Sequence, residues 1–342
     1  MRAITITEHG GPEVLEMREH PDPEPADDEV RVRVEAAGFN FAELMARQGL
    51  YPDAPETPCV VGYEAAGVVD RVGDDVEDYG SGDRVLLATR FGAHADTVCA
   101  DRRRVYHMPE EMTFEQGAAL PVNFLTAYHM LFRVANLRPG DRLLVHMAAG
   151  GVGTAVIQLS QTVDGVTVFG TASSGKHDRI REFGCDHPID YRNNDYEEEV
   201  ERLTDGDGVD VVLDPLGGGD WKKGYRLLRP VGRLVAFGFA NMSSGSERSL
   251  FNVAKQYLSM PWFDPVSLMN DNRSIAGVNM LNLWDEIELL SDEMEHLLQL
   301  FNYGAIEPQI DSSYAFSEAA RAHERMESRE NVGKILLVPD RP

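Results

Sequence analysis

The stretch His146-Met147-Ala148-Ala149-Gly150-Gly151-Val152-Gly153 has the residue types and spacing of a turn that holds phosphates. It follows the apolar run 142–148 and leads into the helical pattern 152–162, the setting in which a glycine series becomes a dinucleotide-binding motif. Gly150 would let the backbone approach a pyrophosphate, and Gly153 would let helix and strand pack closely. Ala149, Gly151 and Val152 complete the turn, whose unpaired N–H groups lie at the positive end of the helix dipole. Ala148 stands where the first glycine usually falls, and a glycine-rich turn that binds nothing is the competing reading. Further on, where an NAD enzyme places Asp or Glu to hold the ribose 2′-OH, the chain reads Phe169-Gly170-Thr171-Ala172-Ser173-Ser174-Gly175-Lys176. No acid is present. Ser173 can donate to a 2′-phosphate and Lys176 can balance its charge, which points to NADPH; a plain helix N-terminus capped by serine is the alternative.

These residues need a doubly wound scaffold, and the sequence supplies one. From about residue 123, short apolar runs at 142–148, 167–171, 209–214 and 233–238 alternate with helical stretches, with 274–278 as a last strand. The preceding part is β-rich. Val30-Arg31-Val32-Arg33-Val34 alternates with period two, and 64–72, 84–88 and 96–100 read as further strands. An amphipathic helix is expected over 284–301, and the closing run 332–338 is a strand too short to stand alone, so it is expected to pair with the N-terminal part. The expected domains are therefore 1–122, 123–279 and a return over 280–342.

At 342 residues the chain is too long for one ordinary core. No apolar run reaches the roughly 18 residues of a membrane span, and the start reads as a strand instead of a signal peptide, so a cytoplasmic protein without stable membrane insertion is expected. Three separated cysteines, Cys59, Cys99 and Cys185, make neither a disulfide framework nor a four-thiolate zinc site. The 57 acids against 32 bases give a net charge of −25, which disfavours nucleic acid as a partner. Only five of those bases are lysines (Lys176, Lys222, Lys223, Lys255 and Lys334), a bias that suits a halophilic protein in molar salt, where charge repulsion is screened.

Several stretches in order resemble one family. They are 40–51 (Asn40-Phe41-Ala42-Glu43 through Gly49-Leu50-Tyr51), Leu125-Thr126-Ala127-Tyr128, the 146–153 turn, Val168 to Ser173, Asp214-Pro215-Leu216-Gly217-Gly218 and Asn331-Val332-Gly333-Lys334. Over essentially its whole length the chain resembles the medium-chain dehydrogenases/reductases, specifically the zinc-independent quinone oxidoreductases, and within them the branch named for a synaptic vesicle membrane (vesicle amine transport) protein. The resemblance implies an α/β fold in which a Rossmann doubly wound parallel sheet is inserted in a GroES-like, β-rich catalytic domain. Asn40 and Tyr63 stand where zinc-dependent relatives place a Cys and a His, so metal catalysis is not expected.

The resemblance also implies roles. Asn40, Tyr51 and Thr126 would lie near the nicotinamide and its ribose, with Tyr51 and Asn40 as hydrogen-bond donors to the acceptor oxygen. Ser173, Lys176 and Tyr191 would face the 2′-phosphate, Phe237 and Gly238 would hold the nicotinamide, and Asn331 or Lys334 would close over the cofactor. Each has a plainer structural reading: Asn40 fixing a turn, Tyr51 packing, Thr126 capping its helix. The implied activity is hydride transfer from NADPH to a quinone or another α,β-unsaturated carbonyl, in a homodimer. Enoyl-thioester reduction is the nearest rival, and a nucleotide-binding protein with little turnover, acting through protein or membrane contacts, is a reading of a different class.

Overall fold

The computed structural model describes residues 1–243, 245 and 249–340. Two compact units emerge, one comprising Met1–Leu125 and Leu283–Pro342, the other Thr126–Ser244 and Ser249–Asn282. Along the chain the first unit contains β1 (Arg2–Ile6), β2 (Leu15–Glu19), β3 (Glu29–Phe39), α1 (Phe41–Arg47), β4 (Cys59–Val60), β5 (Glu64–Val72), β6 (Arg84–Ala88), β7 (Thr97–Asp101), β8 (Val105–His107) and α2 (Phe114–Ala119). Helix α3 (Pro121–Tyr128) crosses the unit boundary. The second unit contains β9 (Arg142–Val145), α4 (Gly151–Ser160), β10 (Thr167–Ala172), α5 (His177–Glu182), β11 (His187–Asp190), α6 (Tyr196–Leu203), β12 (Val209–Asp214), α7 (Asp220–Leu227), β13 (Leu228–Ala236), α8 (Leu250–Ser259), α9 (Pro265–Asp271) and β14 (Ser274–Gly277). The chain then returns to the first unit with α10 (Ile287–Asn302), β15 (Ile310–Ala315), α11 (Ala319–Glu327) and β16 (Lys334–Val338).

The first unit is built on β3. Val30, Val32 and Val34 are buried, as the alternation predicts, while Arg33 stays exposed. Arg31 departs from that pattern: Asp70 on β5 grips its Nε and Nη2 at 2.9 Å each, and the paired guanidinium is buried with the strand. The larger sheet runs β15-β16-β3-β5-β6-β8 with β7 also on β3, and a smaller one runs β2-β1-β4. The closing strand β16 pairs antiparallel with β3, Leu336 opposite Gly38, so the end of the chain completes the N-terminal sheet as the sequence suggested.

The second unit is an all-parallel sheet in the order β11-β10-β9-β12-β13-β14, a Rossmann arrangement whose strand order reverses between β9 and β12. Leu143, Leu144 and Val145 of β9 are fully buried, as a central strand covered on both faces requires. Three elements differ from the sequence reading by three residues or more at an end. β9 stops at Val145 because Met147 takes a left-handed φ of 53°. β13 begins at Leu228 and ends at Ala236, and α10 begins at Ile287, leaving Trp284 outside it with its ring under the Arg104 guanidinium at 4.1 Å.

Candidate active site

On the Rossmann side the site is the turn between β9 and α4. Gly150 precedes the helix in an extended conformation, and the first intrahelical bond runs from Thr154 N–H to Gly150 O at 2.9 Å. The N–H groups of Gly151, Val152 and Gly153 therefore have no partner inside the helix, which is the donor set an anion needs. Gly153 has no room for a side chain: a Cβ would fall 2.4 Å from Met147 O and 2.7 Å from Ala148 Cα. The missing first glycine is also explained. The Ala148 methyl is fully buried against Gly170 of β10, where an added Cβ would meet it at 2.9 Å, so the space is taken from the neighbouring strand.

Ala172 lies opposite Asp190 in the parallel register of β10 and β11, so Ser173 and Tyr191 leave adjacent strand ends side by side. Lys176 sits one turn on, its N–H bonded to Ser173 O at 2.9 Å, and Tyr191 is 40% exposed. Asp190 is held below the usual carboxylate range, first by the Asn193 side chain, 2.6 Å away, and then by the Arg192 N–H. Phe237 and Gly238 follow β13, with Phe237 N–H bonded to Asp214 O at 3.0 Å, and Thr126 is buried in α3.

On the β-rich side the structure corrects two roles. Both Nδ2 hydrogens of Asn40 are taken, by Glu43 Oε1 at 3.2 Å and Glu64 Oε1 at 3.0 Å, and its Oδ1 accepts from the Lys334 ammonium. Its amide thus has no hydrogen left for an acceptor oxygen. Lys334 is 2% exposed and paired with Glu64, so its ammonium braces this cluster instead of closing over a cofactor. Asn331 bonds the Gly333 carbonyl at 3.0 Å and shapes the turn before β16.

Tyr51 is half-buried against the cluster of Ile6, Val14, Ala46 and Val61, and burial with the nearby Asp53 and Glu43 charges pushes its phenol up to about 12. It stays protonated and is a donor. Its ring meets Tyr63 edge-on at 6.5 Å.

Four residues escaped the sequence reading. Glu43, fully buried, rises to about 8 by desolvation despite the Lys334 charge, and Glu64 also accepts from Val122 N–H at 2.7 Å. His94, buried and bonded to Gly38 O at 3.1 Å, is lowered to about 4 by desolvation and stays neutral. On the Rossmann side His146 is lowered to about 3 by burial, with Nδ1 at 3.1 Å from Thr171 Oγ1. The signals were present: a capping-box spacing from Asn40 to Glu43, an acid heading the apolar strand β5, and histidines inside apolar runs.

Two family descriptions match this chain, "Alcohol dehydrogenase GroES-like domain" over residues 26–117 and "Zinc-binding dehydrogenase" over residues 183–337. With its GroES-like unit and glycine turn on a Rossmann sheet, the chain belongs to the medium-chain dehydrogenase/reductase superfamily. Two curated relatives and a solved structure illustrate the likeness. The synaptic vesicle membrane protein VAT-1 homolog of Rattus norvegicus is 45% identical over 99% of this chain and 84% of its own length. The quinone oxidoreductase of Pseudomonas aeruginosa is 34% identical over 99% of both chains. The crystal structure of Escherichia coli quinone oxidoreductase complexed with NADPH superposes with a TM-score of 0.87 at 30% identity, over 99% of this chain and 100% of that one.

These matches confirm the resemblance and the fold class read from the sequence. They also name a zinc-binding family, and the donors here do not fit that ion. Among the described residues no three His, Cys, Asp or Glu side chains converge on one point, and the cation beside Glu64 is the Lys334 ammonium.

Proposed function

We propose that this protein is an NADPH-dependent, zinc-independent reductase that delivers hydride to a quinone or another α,β-unsaturated carbonyl. The observation that carries the reading is the β9–α4 turn, with its free helix N–H groups and a Gly153 that tolerates no Cβ, followed on β10 by Ser173 and Lys176 with no acid. The bound nicotinamide supplies the hydride; the chain binds, orients and donates a proton. Gly150 to Gly153 hold the pyrophosphate, Ser173, Lys176 and Tyr191 hold the 2′-phosphate, and Thr126, Phe237 and Gly238 line the nicotinamide. Tyr51 donates to the oxygen on which charge grows. Asn40 joins α1, through Glu43, to Glu64.

Enoyl-thioester reduction is the second reading. It is supported by the enoyl reductase CurK, whose crystal structure superposes with a TM-score of 0.85 at 26% identity, and by a Tyr51 that keeps its proton. A nucleotide-binding role with little turnover fits the relatives named for vesicle membranes. Mixing the protein with NADPH and a panel of quinones, enones and enoyl thioesters, while following the nicotinamide absorbance, separates the three. Turnover of none of them overturns the reductase.

Homodimerisation through the Rossmann unit belongs to the same reading. Its support is the open edge of β14 and the exposed Phe251, Leu258, Trp262 and Met269 on and between α8 and α9. Among the described residues no helix is long and apolar enough to cross a membrane, and a cytoplasmic setting accords with the free cysteines.

A further inference from the structure

We propose that Tyr63 is a positioning residue: its hydroxyl donates to the Tyr51 hydroxyl oxygen, turning the Tyr51 proton toward the acceptor and steadying that oxygen when the proton leaves. This rests on the donor role of Tyr51 given above.

Tyr63 precedes β5, immediately before Glu64, and is 8% exposed. Its hydroxyl is buried and makes no hydrogen bond, and the Tyr51 ring is its edge-on neighbour. Burying a hydroxyl without a partner is costly, so such an atom needs an explanation. The two rings meet edge-on at 6.5 Å, and the Phe91 ring packs against Tyr63 at 5.4 Å, closing that side with carbon. The Tyr51 phenol on the neighbouring ring is a polar group to which the Tyr63 hydroxyl can turn.

The direction of donation follows from the surroundings. Tyr63 is pushed far above the ordinary phenol range, by desolvation first and then by Glu43, Tyr51 and Asp53, so it keeps its proton and donates. Tyr51 is raised by desolvation, Asp53 and Glu43, and of the groups around it Tyr63 favours its ionised form. Glu43 is itself surrounded by Lys334, Asn40, Glu64 and His94. In the reaction the Tyr51 O–H bond breaks as an O–H bond forms on the reduced acceptor. The phenolate left behind accepts from Tyr63 and regains its proton from water at its exposed side.

The test is Tyr63→Phe, which keeps the ring contacts and removes only the oxygen. Difluorotyrosine installed at position 51 brings that titration near neutral pH, where fluorine NMR reads its midpoint in the protein alone. The midpoint rises by about one unit or more when position 63 is Phe, the size expected for a lost hydrogen bond to a charged oxygen. An unchanged midpoint overturns the proposal, and a thermal midpoint equal to the parent's shows that the variant is folded. In turnover of an enone, Tyr63→Phe lowers kcat and leaves the NADPH KM alone, and adding it to Tyr51→Phe changes nothing further. A further drop in the double variant also overturns the proposal. If Tyr51→Phe is itself silent, the donor role of Tyr51 fails while the titration still reports on the pair.

Discussion

Alanine at position 153 would put a Cβ 2.4 Å from Met147 O and 2.7 Å from both Cα and C of Ala148, all backbone atoms that cannot rotate away. Restoring an ordinary contact of 3.4 Å requires α4 and the turn to part by about 1 Å. Overpacking of that size costs about 1–3 kcal/mol, and the better helix propensity of Ala returns up to about 1 kcal/mol. A net loss of about 1–2 kcal/mol corresponds to a thermal midpoint lower by roughly 2–8 °C for a unit of this size. Alanine at position 150 meets only Met147 O, at 3.3 Å, and the backbone there is extended, so the fold should change little. Its methyl would instead stand where phosphates approach the helix N–H groups, weakening NADPH roughly ten- to a hundredfold if one charge-assisted bond is lost. Differential scanning of the two variants without cofactor, followed by NADPH titration, therefore separates a packing glycine from a binding glycine. Equal melting of Gly153→Ala and parent would refute the packing argument. Unchanged NADPH affinity in Gly150→Ala would remove the turn as the phosphate site.

Lys176→Ala should reduce a NADPH-over-NADH preference of roughly ten- to a hundredfold, measured by titration with both nucleotides, and a variant that keeps the full preference assigns the wrong cation. Tyr51→Phe should lower kcat on an enone roughly ten- to a thousandfold with the NADPH KM little changed; a silent variant retires the donor role. Thermal midpoints should rise from 0.1 M to 3 M KCl, because screening (a Debye length of about 10 Å at 0.1 M and about 3 Å already at 1 M) relieves the repulsion behind a net charge of −25. A flat profile would count against salt adaptation. Glu43, raised from an ordinary 4.5 to about 8, stays protonated in the folded chain while the unfolded chain ionises. Its contribution is thus complete below about pH 4.5 and falls as pH rises to about 8. Against Glu43→Gln, urea unfolding of the parent should show that decline over this window, and parallel profiles would refute it.

The nucleotide side was legible because its signals are local. Strand, turn and helix from Arg142 to Ser160 are contiguous, and Gly150 and Gly153 answer to atoms a few residues away. Even so, the place of Gly170 beside Ala148 needed the structure, since only strand pairing brings them together. The exposed pair α8 and α9 gave no usable period, because neither helix buries any residue among those described. On the β-rich side the resemblance offers Asn40 as a donor, but its amide hydrogens go to Glu43 and Glu64, and Lys334, 294 positions away, donates to its oxygen. A contact of that separation leaves no trace in either local stretch.

That long contact also brings the charges of the buried cluster into balance. Two buried carboxyl groups, Glu43 and Glu64, share one buried cation, Lys334, and two ionised acids with one ammonium would leave a net charge out of water. The rise of Glu43 to about 8 resolves the imbalance at neutral pH: Glu43 is neutral, and Glu64 with Lys334 forms a closed pair. Asn40 then bridges both acids and accepts from the ammonium, which ties β3, α1, β5 and β16 at one point. Removing the cation in Lys334→Met would leave the buried Glu64 carboxylate without its partner, and breaking such a pair costs about 3–5 kcal/mol. The cluster is thus near neutral as a whole, with its one ion pair, Glu64 and Lys334, buried.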